Sequence, residues 1–468
     1  MDAAVSRYAK PFTSVPEQVE LLRRNGMVID DAADAAATLR RCGYYRLSGY
    51  THYFREGPSL RRFMPGTTLR EVTDLYRFDE TLRAVILDGI AQLEPALRFH
   101  VGHRLGRNAR FAHRRGVYLS ESGTVWAQGL EGTSRSKHAS WLQEYGQQES
   151  RSQETFVQHF RRRYGPHLPV WVATEVMTLG TLTRLYDLMP DNDRKLVALR
   201  FGLRTKDGDG DPGTFSNWLN FIRHVRNICA HHSRLWNRTL DVSLTRPGSG
   251  LAPELAHIDD SSRRRLYGVI SALRYLLARV EPESHWHSRA LTIVTDFART
   301  SGVRLSTMGF PRGWQNESLW APNYLPDMLL REVADSVDAV DTVNRPTAML
   351  LVEEKGDEAA RKDWLRYLVR EGALIAHRMG PQQHFPVFQF RNGNVYAPAA
   401  NVNVNLFSRI ERTEKDPSRA AIAAQRWWTT ADPSHGFEDP PLDMLNGDPE
   451  IVTQASTTWA NGTIERIT

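Results

Sequence analysis

Apolar residues along the first 320 positions recur mostly at three- and four-residue steps. Leu82, Val85, Ile86, Ile90, Leu93 and Leu97 fall on one helix face, and Phe215, Trp218, Leu219, Ile222, Val225 and Cys229 fall on another. Val19 to Leu22 with Leu39, and Leu266 to Val280, carry the same period. Strand-like alternation is scarce here, so the pattern predicts a mainly α fold, a helical bundle closed by its apolar faces. Breakers separate the helices. "TKDGDGDPG" at 205–213 reads as a turn just before the Phe215 helix, and residues 105–150, rich in Arg, Gly, Ser and Gln, read as a long surface excursion.

The pattern changes near "PRGWQNESLWAPNYLPD", residues 311–327, where three prolines interrupt the chain. This divides the expected architecture into a helical body over 1–320, a linker over 321–344 and a small, mostly α C-terminal domain over 345–460. Within that last part, "RKDWLRYLVREGALIAHR" at 361–378 predicts a helix. "FPVFQFRNGNVYAP" at 385–398 predicts a short hairpin or irregular segment, and Ser418 to Trp428 predicts another helix.

Charge sharpens this division. The net charge of +6 hides 45 Lys and Arg against 33 Asp and Glu in residues 1–320, and 15 against 21 in residues 321–468. A basic body with an acidic tail points to a polyanion partner for the first part and a different role for the second. Two cysteines, Cys42 and Cys229, build neither a disulfide framework nor a four-cysteine zinc site, and they suit the reducing cytoplasm. No run approaches the roughly 18 apolar residues of a membrane span. The opening "MDAAVSRYAKPF" lacks the apolar core of a signal peptide, so no membrane partner and no export are expected.

Candidate chemistry gathers on the polar side of the Phe215 helix. On a helical wheel carried to residue 238, Asn220, Arg223, His224, Asn227, His231, Arg234 and Arg238 share one side, with Arg226 at its edge. A solvated helix face normally mixes acids with bases, because opposite charges four residues apart stabilise it. This one has no acid from Thr214 to Leu240. Arginine grips phosphate oxygens with a planar fork, asparagine donates an amide hydrogen bond, and histidine passes protons near neutral pH. Arg226, Asn227 and His231 are therefore the parts needed to cut RNA without a metal or any other cofactor. Histidine serves as general base or acid, and arginine steadies the phosphorane-like charge. One histidine does not easily do both jobs, so a homodimer with two facing copies is part of this expectation. The spacing by itself leaves catalysis, plain anion binding and a structural polar face all open.

The series "EQVELLRRNGMVIDD", "GYYRLSGYTHYFR", "LYRFDETLR", "LEPALR", "LPVWVATEVMTLGTLTRLY", "RNICAHHSRLWNR" and "MGFPRGWQNESLW" resembles the bacterial Abi family of abortive-infection proteins, of the AbiD/AbiF type, from about residue 10 to 320. That resemblance implies a HEPN-type helical domain and an Arg-x4-His ribonuclease motif. It assigns Arg226 and His231 as the catalytic pair, Asn227 as the polar residue after the arginine and His232 as a neighbour. HEPN toxins silenced by a nucleotidyltransferase carry Tyr two residues after the His, and here that position is Ser233. Arg98 stands five residues before His103 in "RFHVGH", either as a second motif copy or as a basic helix end lining the same groove. "LVREGALIAHRMG", "FPVFQFRNGNVYAP", "RWWTT" and "PPLDMLNGDPEIV" resemble the toxin-binding domain of Xre/MbcA/ParS antitoxins over about 345–455, which implies a protein toxin or antitoxin partner. The implied function is a metal-independent endoribonuclease toxin of phage defence or a toxin–antitoxin system, acting on single-stranded or loop RNA, with a noncoding RNA as one form of antidote. Arg223, His224, His232, Arg234, Arg238, Arg98 and His103 are its candidate RNA contacts. The competing reading is a catalytically silent RNA-binding or antitoxin-like protein whose tail binds a separate toxin.

Other features carry weaker signals. Cys229, His231 and His232 invite zinc, but the cysteine projects from the apolar side and no second ligand pair follows at a suitable spacing. His285 and His287 are two apart and read as solvated. The loop at 205–213 has Pro212 where a calcium loop needs its sixth-position glycine. Glu175 reads equally as a buried acid positioning Arg226 or His231 and as a surface residue. "HFRRRYG" at 159–165 reads as a solvated helix face or a track for an RNA backbone, with Tyr164 available for stacking. "GYYRLSGY" at 43–50 reads as core packing ahead of base stacking.

Overall fold

A computed structural model describes residues 11–57, 61–125, 136–248, 250–352, 355–433 and 437–461. Three short helices, α1 (Val15–Arg24), α2 (Ala32–Cys42) and α3 (Tyr44–Thr51), lead into α4 (Leu69–Asn108), whose 40 residues form the spine of the body. Thr68 and Glu71 start it as a reciprocal cap. The Glu71 carboxylate accepts from the Thr68 N–H at 2.8 Å, and the Thr68 hydroxyl accepts from the Glu71 N–H at 3.1 Å. The apolar period expected over 82–97 extends from Val72 to Leu105 and is buried along that length. Pro95 removes one internal N–H bond, at a point of the helix where both Pro95 and Ala91, whose carbonyl loses its donor, are exposed. Two two-residue strands, β1 (Arg55–Glu56) and β2 (Arg62–Phe63), pair antiparallel before this helix.

The remaining helices of the body wrap α4: α5 (Glu121–Thr124), α6 (Lys137–Arg151), α7 (Thr155–Tyr164), α8 (Val170–Val176), α9 (Leu179–Leu188), α10 (Asp191–Arg200), α11 (Pro212–Ala230), α12 (Leu266–Val280) and α13 (Trp286–Ser301). At the α13 crossing, a Cβ on Gly89 would lie 2.5 Å from the Trp286 indole, whose N–H donates to the Val85 carbonyl at 2.6 Å. One continuous core runs from Val19 to Trp320. The expected surface excursion at 105–150 is corrected: α4 continues to Asn108, and α6 buries His138, Trp141, Tyr145 and Glu149. That stripe is one residue wide per turn among Gln and Ser, so polar composition masked it; residues 126–135 lie outside the described residues.

The stretch expected as a linker is also corrected. Residues 321–344 contain α14 (Leu329–Ala339), which buries Val333, Ala334, Ser336, Val337 and Asp338. Its apolar side joins Leu196 and Leu199 of α10 to Met379 and Ile422 of the C-terminal part. Beyond it come α15 (Arg345–Leu350), α16 (Glu358–Arg370), α17 (Ala397–Thr413), α18 (Pro417–Thr429), α19 (Pro441–Met444) and α20 (Pro449–Asn461). Strands β3 (Thr342–Asn344), β4 (His377–Met379) and β5 (Gln382–Pro386) form an antiparallel sheet in the order β3-β5-β4. The helix expected over 361–378 thus ends at Arg370, and its last residues turn into β4. The expected hairpin is present as β6 (Phe390–Arg391) and β7 (Asn394–Val395), turned by Asn392 and Gly393 at φ 50° and 72°. Helix makes up 65% of the described residues, and the fold is mainly α. Among the described residues no helix is long and apolar enough to cross a membrane.

Candidate functional site

Helix α11 begins at Asp211, whose carboxylate accepts the Thr214 N–H at 2.8 Å, with Pro212 first in the helix. It buries Phe215, Trp218, Leu219, Ile222, Val225 and Cys229, as the apolar period requires. The helix stops at Ala230, so the wheel drawn to residue 238 describes two different structures. His232 adopts φ 55°, the left-handed region. Its N–H donates to the Cys229 carbonyl at 3.0 Å, and the Ser233 N–H donates to the Ile228 carbonyl at 2.9 Å. This is a Schellman closure with histidine where glycine is usual, and neither Gly nor Pro in the sequence announces it.

The buried Asp79 of α4 holds the chain after that turn. Its carboxylate accepts from the Trp236 N–H at 2.8 Å, the Leu235 N–H at 3.2 Å and the Tyr50 hydroxyl at 2.6 Å, and it pairs with Arg83. Burial pushes the Asp79 carboxyl upward, while Arg83, Tyr50 and the two amides oppose that push. Helix α3 lies alongside. Arg234 donates to the Gly49 carbonyl at 2.5 Å, and Arg46 donates to the His232 carbonyl at 3.4 Å. Sequence reasoning missed this frame. Its signal was an acid, Asp79, inside the apolar stripe of Leu75, Phe78, Leu82 and Ile86.

Arg226, Asn227, His231 and His232 are exposed together at the helix end. Arg226 reaches the Asn227 amide oxygen at 3.5 Å, and the His231 N–H donates to the Asn227 carbonyl at 3.0 Å. Among the described residues, Arg226 has no ion-pair partner within 4 Å. Arg223 is half-buried and donates to Asn220 at 2.5 Å. His224 and Arg238 approach Asp241 at 3.7 and 3.9 Å, so the acid-free stretch is answered by the first residue beyond it. Burial lowers the His224 pKa, with Asp241 opposing.

Arg98, a candidate RNA contact, is engaged within the body. It pairs with Glu94 and donates to the Thr174 and Met177 carbonyls, tying α4 to the end of α8. His103 is exposed and stacks on Phe99 at 5.2 Å. Glu175 is exposed, so its buried-acid reading belongs to Asp79. His287, expected as solvated, is half-buried against Arg274 at 3.0 Å and its pKa falls to about 4, chiefly through burial. The Cys229 thiol is pushed up to about 12 by burial, which removes it as nucleophile or ready ligand. Arg163 of "HFRRRYG" lies 5.6 Å from the exposed Tyr164 ring, and Arg161 is tied to the Glu149 carbonyl.

With this geometry in hand, the comparison with known families is specific. Residues 37–237 match the family model of Abi-like proteins. The Abi-like region takes in α3, α4 and α11 and closes just after the His231–Trp236 turn, so Asp79, Arg226 and His231 all lie within it. It is narrower than the expected span of about 10–320. Comparison with curated proteins and with solved structures gives no match.

Proposed function

We propose that the protein is a metal-independent endoribonuclease of abortive infection, built on a HEPN-like body over residues 1–320 and working in the cytoplasm as a homodimer. The observation that carries this reading is the open Arg226–Asn227–His231 group, held at a pinned helix end inside the Abi-like region and free of contacting acids. In the reaction the ribose 2′-oxygen attacks phosphorus while the P–O5′ bond breaks, leaving a 2′,3′-cyclic phosphate and a 5′-hydroxyl. His231 takes the 2′-hydroxyl proton, and His231 of a second copy delivers one to the departing 5′-oxygen. Arg226 neutralises the charge that builds on the non-bridging oxygens, and Asn227 orients the phosphate. The acidic C-terminal part, 345–460, acts as a regulatory or partner-binding unit of antitoxin-like type.

The test is incubation of the purified chain with total RNA in EDTA, beside His231→Ala. Removing a general acid–base group lowers the rate by about 10²–10⁴-fold, and cyclic-phosphate ends should vanish with it. Tight RNA binding with no cutting by the unaltered chain would transfer the protein to the silent RNA-binding class.

A further inference from the structure

Resting on the RNA-cutting reading, we infer that α3 forms the second wall of the substrate groove, with Tyr45 stacking a base of a single-stranded RNA and Arg46 holding the adjoining phosphate. Most of α3 is consumed by the fold. Leu47 and Tyr50 are buried, and Tyr50 serves the Asp79 network. Tyr45 is the exception: its ring is 92% exposed, a value shared among the described large apolar side chains only by Phe12. Nothing about packing explains a free phenol ring there. Its neighbour Arg46 is also exposed, its guanidinium meets the His232 carbonyl at 3.4 Å, and it has no ion-pair partner within 4 Å among the described residues. The Tyr76 hydroxyl also lies beside it.

Three independent placements converge. The Arg46 contact brings the α3 surface to the turn that carries His231. The Arg234 bond to the Gly49 carbonyl fixes that approach from the other side. Neither the cation on α3 nor the cation on α11 has an ion-pair partner within 4 Å among the described residues, Glu80 reaching Arg46 only through the shared Tyr76 hydroxyl, so both add to the positive potential on this side of the body. A polyanion with flat bases satisfies both features at once. Every base offers a π-face to an aromatic ring, and each stack is worth about 1–3 kcal/mol regardless of sequence. The expected consequence is a preference for unpaired strands, since a base held in a duplex is not free to reach the ring.

The experiment measures binding of a fluorescein-labelled 12-nucleotide single-stranded RNA of mixed sequence in EDTA, using the full chain in the His231→Ala background so that the probe stays intact. Tyr45→Ala should weaken binding roughly 5- to 100-fold, Tyr45→Phe should restore it, and a probe of abasic residues should not distinguish the variants. Arg46→Ala should lower the slope of log affinity against log salt by about one phosphate contact, with Arg46→Lys retaining it. Unchanged affinity in Tyr45→Ala, in a chain that cuts RNA through His231, overturns the α3 wall and leaves the nuclease reading standing. A change of sedimentation with affinity retained overturns it as well, because the ring then serves a second copy of the chain. A parent chain that neither binds nor cuts RNA ends both.

Discussion

Where the body meets the C-terminal part, Arg104, Arg107 and Arg200 face Asp193, Asp335, Asp338 and Asp341, whereas at the end of α11 Arg226 and His231 face no acid at ion-pair distance among the described residues. Arg200 and Asp338 each expose 4% of their side chains. Arg104 meets Asp193 at 2.7 Å as well as Asp338, and Arg107 meets Asp341 at 2.8 Å. Burial pushes Asp338 upward, but Arg200 and Arg104 outweigh it and hold the carboxyl below its ordinary range. The contrast separates two uses of the same side chain. An arginine withdrawn from water must bring its carboxylate with it, because an unpaired buried charge costs several kcal/mol. An exposed one is solvated already and can await a ligand. The seam's charges fasten parts of the chain; Arg226 and His231 at the helix end make no ion pair among the described residues.

The sharpest way to break this comparison is to remove one arginine from each place. Arg200→Met takes one of the two arginines from Asp338 and leaves Arg104 in place, so it should cost about 1.5–3 kcal/mol of stability, read as a fall in the urea midpoint. Arg226→Met should change stability by less than about 0.5 kcal/mol while abolishing RNA cutting. Equal destabilisation by the two would mean that the helix end is part of the structural network after all.

Acid offers a second, smaller lever. Burial holds His100 at about 3 and His377 at about 4. Their folded values lie below the unfolded value near 6.5, so the native state refuses protons that the unfolded chain accepts. Stability from this source is complete above about pH 6.5 and drains as pH falls toward 4, by about 1.4 kcal/mol per pH unit for each histidine. Asp338 adds its own loss only below about pH 4, where the unfolded carboxyl begins to bind protons. The melting temperature should therefore fall between pH 7 and pH 5. A flat profile would remove the buried histidines from the account.

These two regions were unequally legible in the sequence. The core face of α11 followed from its apolar period, and the gathering of Arg226, Asn227 and His231 followed from five-residue spacing and missing acids. The end of the helix did not, because a histidine at φ 55° is chosen by the surrounding bonds, above all those to Asp79 about 150 positions earlier. The seam was illegible for a related reason. Asp338 reads as one more charge in an acidic tail until Arg104 and Arg200 are folded against it, and a proline-flanked stretch hid the apolar face of α14. Periodicity reports which side of an element is buried; it carries no information about which distant charge will be buried with it.

Asp241 is the small term that bears most directly on the contrast, because it is the acid that approaches His224 and Arg238. Its carboxylate is 75% exposed and sits 3.7 and 3.9 Å from His224 and Arg238, distances at which a solvated pair contributes about 0–1 kcal/mol. If the cluster is kept positive for phosphate, Asp241 competes with the ligand more than it supports the fold. Asp241→Asn should then tighten single-stranded RNA binding about two- to five-fold at low salt, with the gain shrinking as salt screens the site. The melting temperature should stay put. A loss of affinity would reverse the argument, since it would show that Arg238 and His224 need an anchoring acid to face the RNA, as the seam's arginines need theirs to be buried.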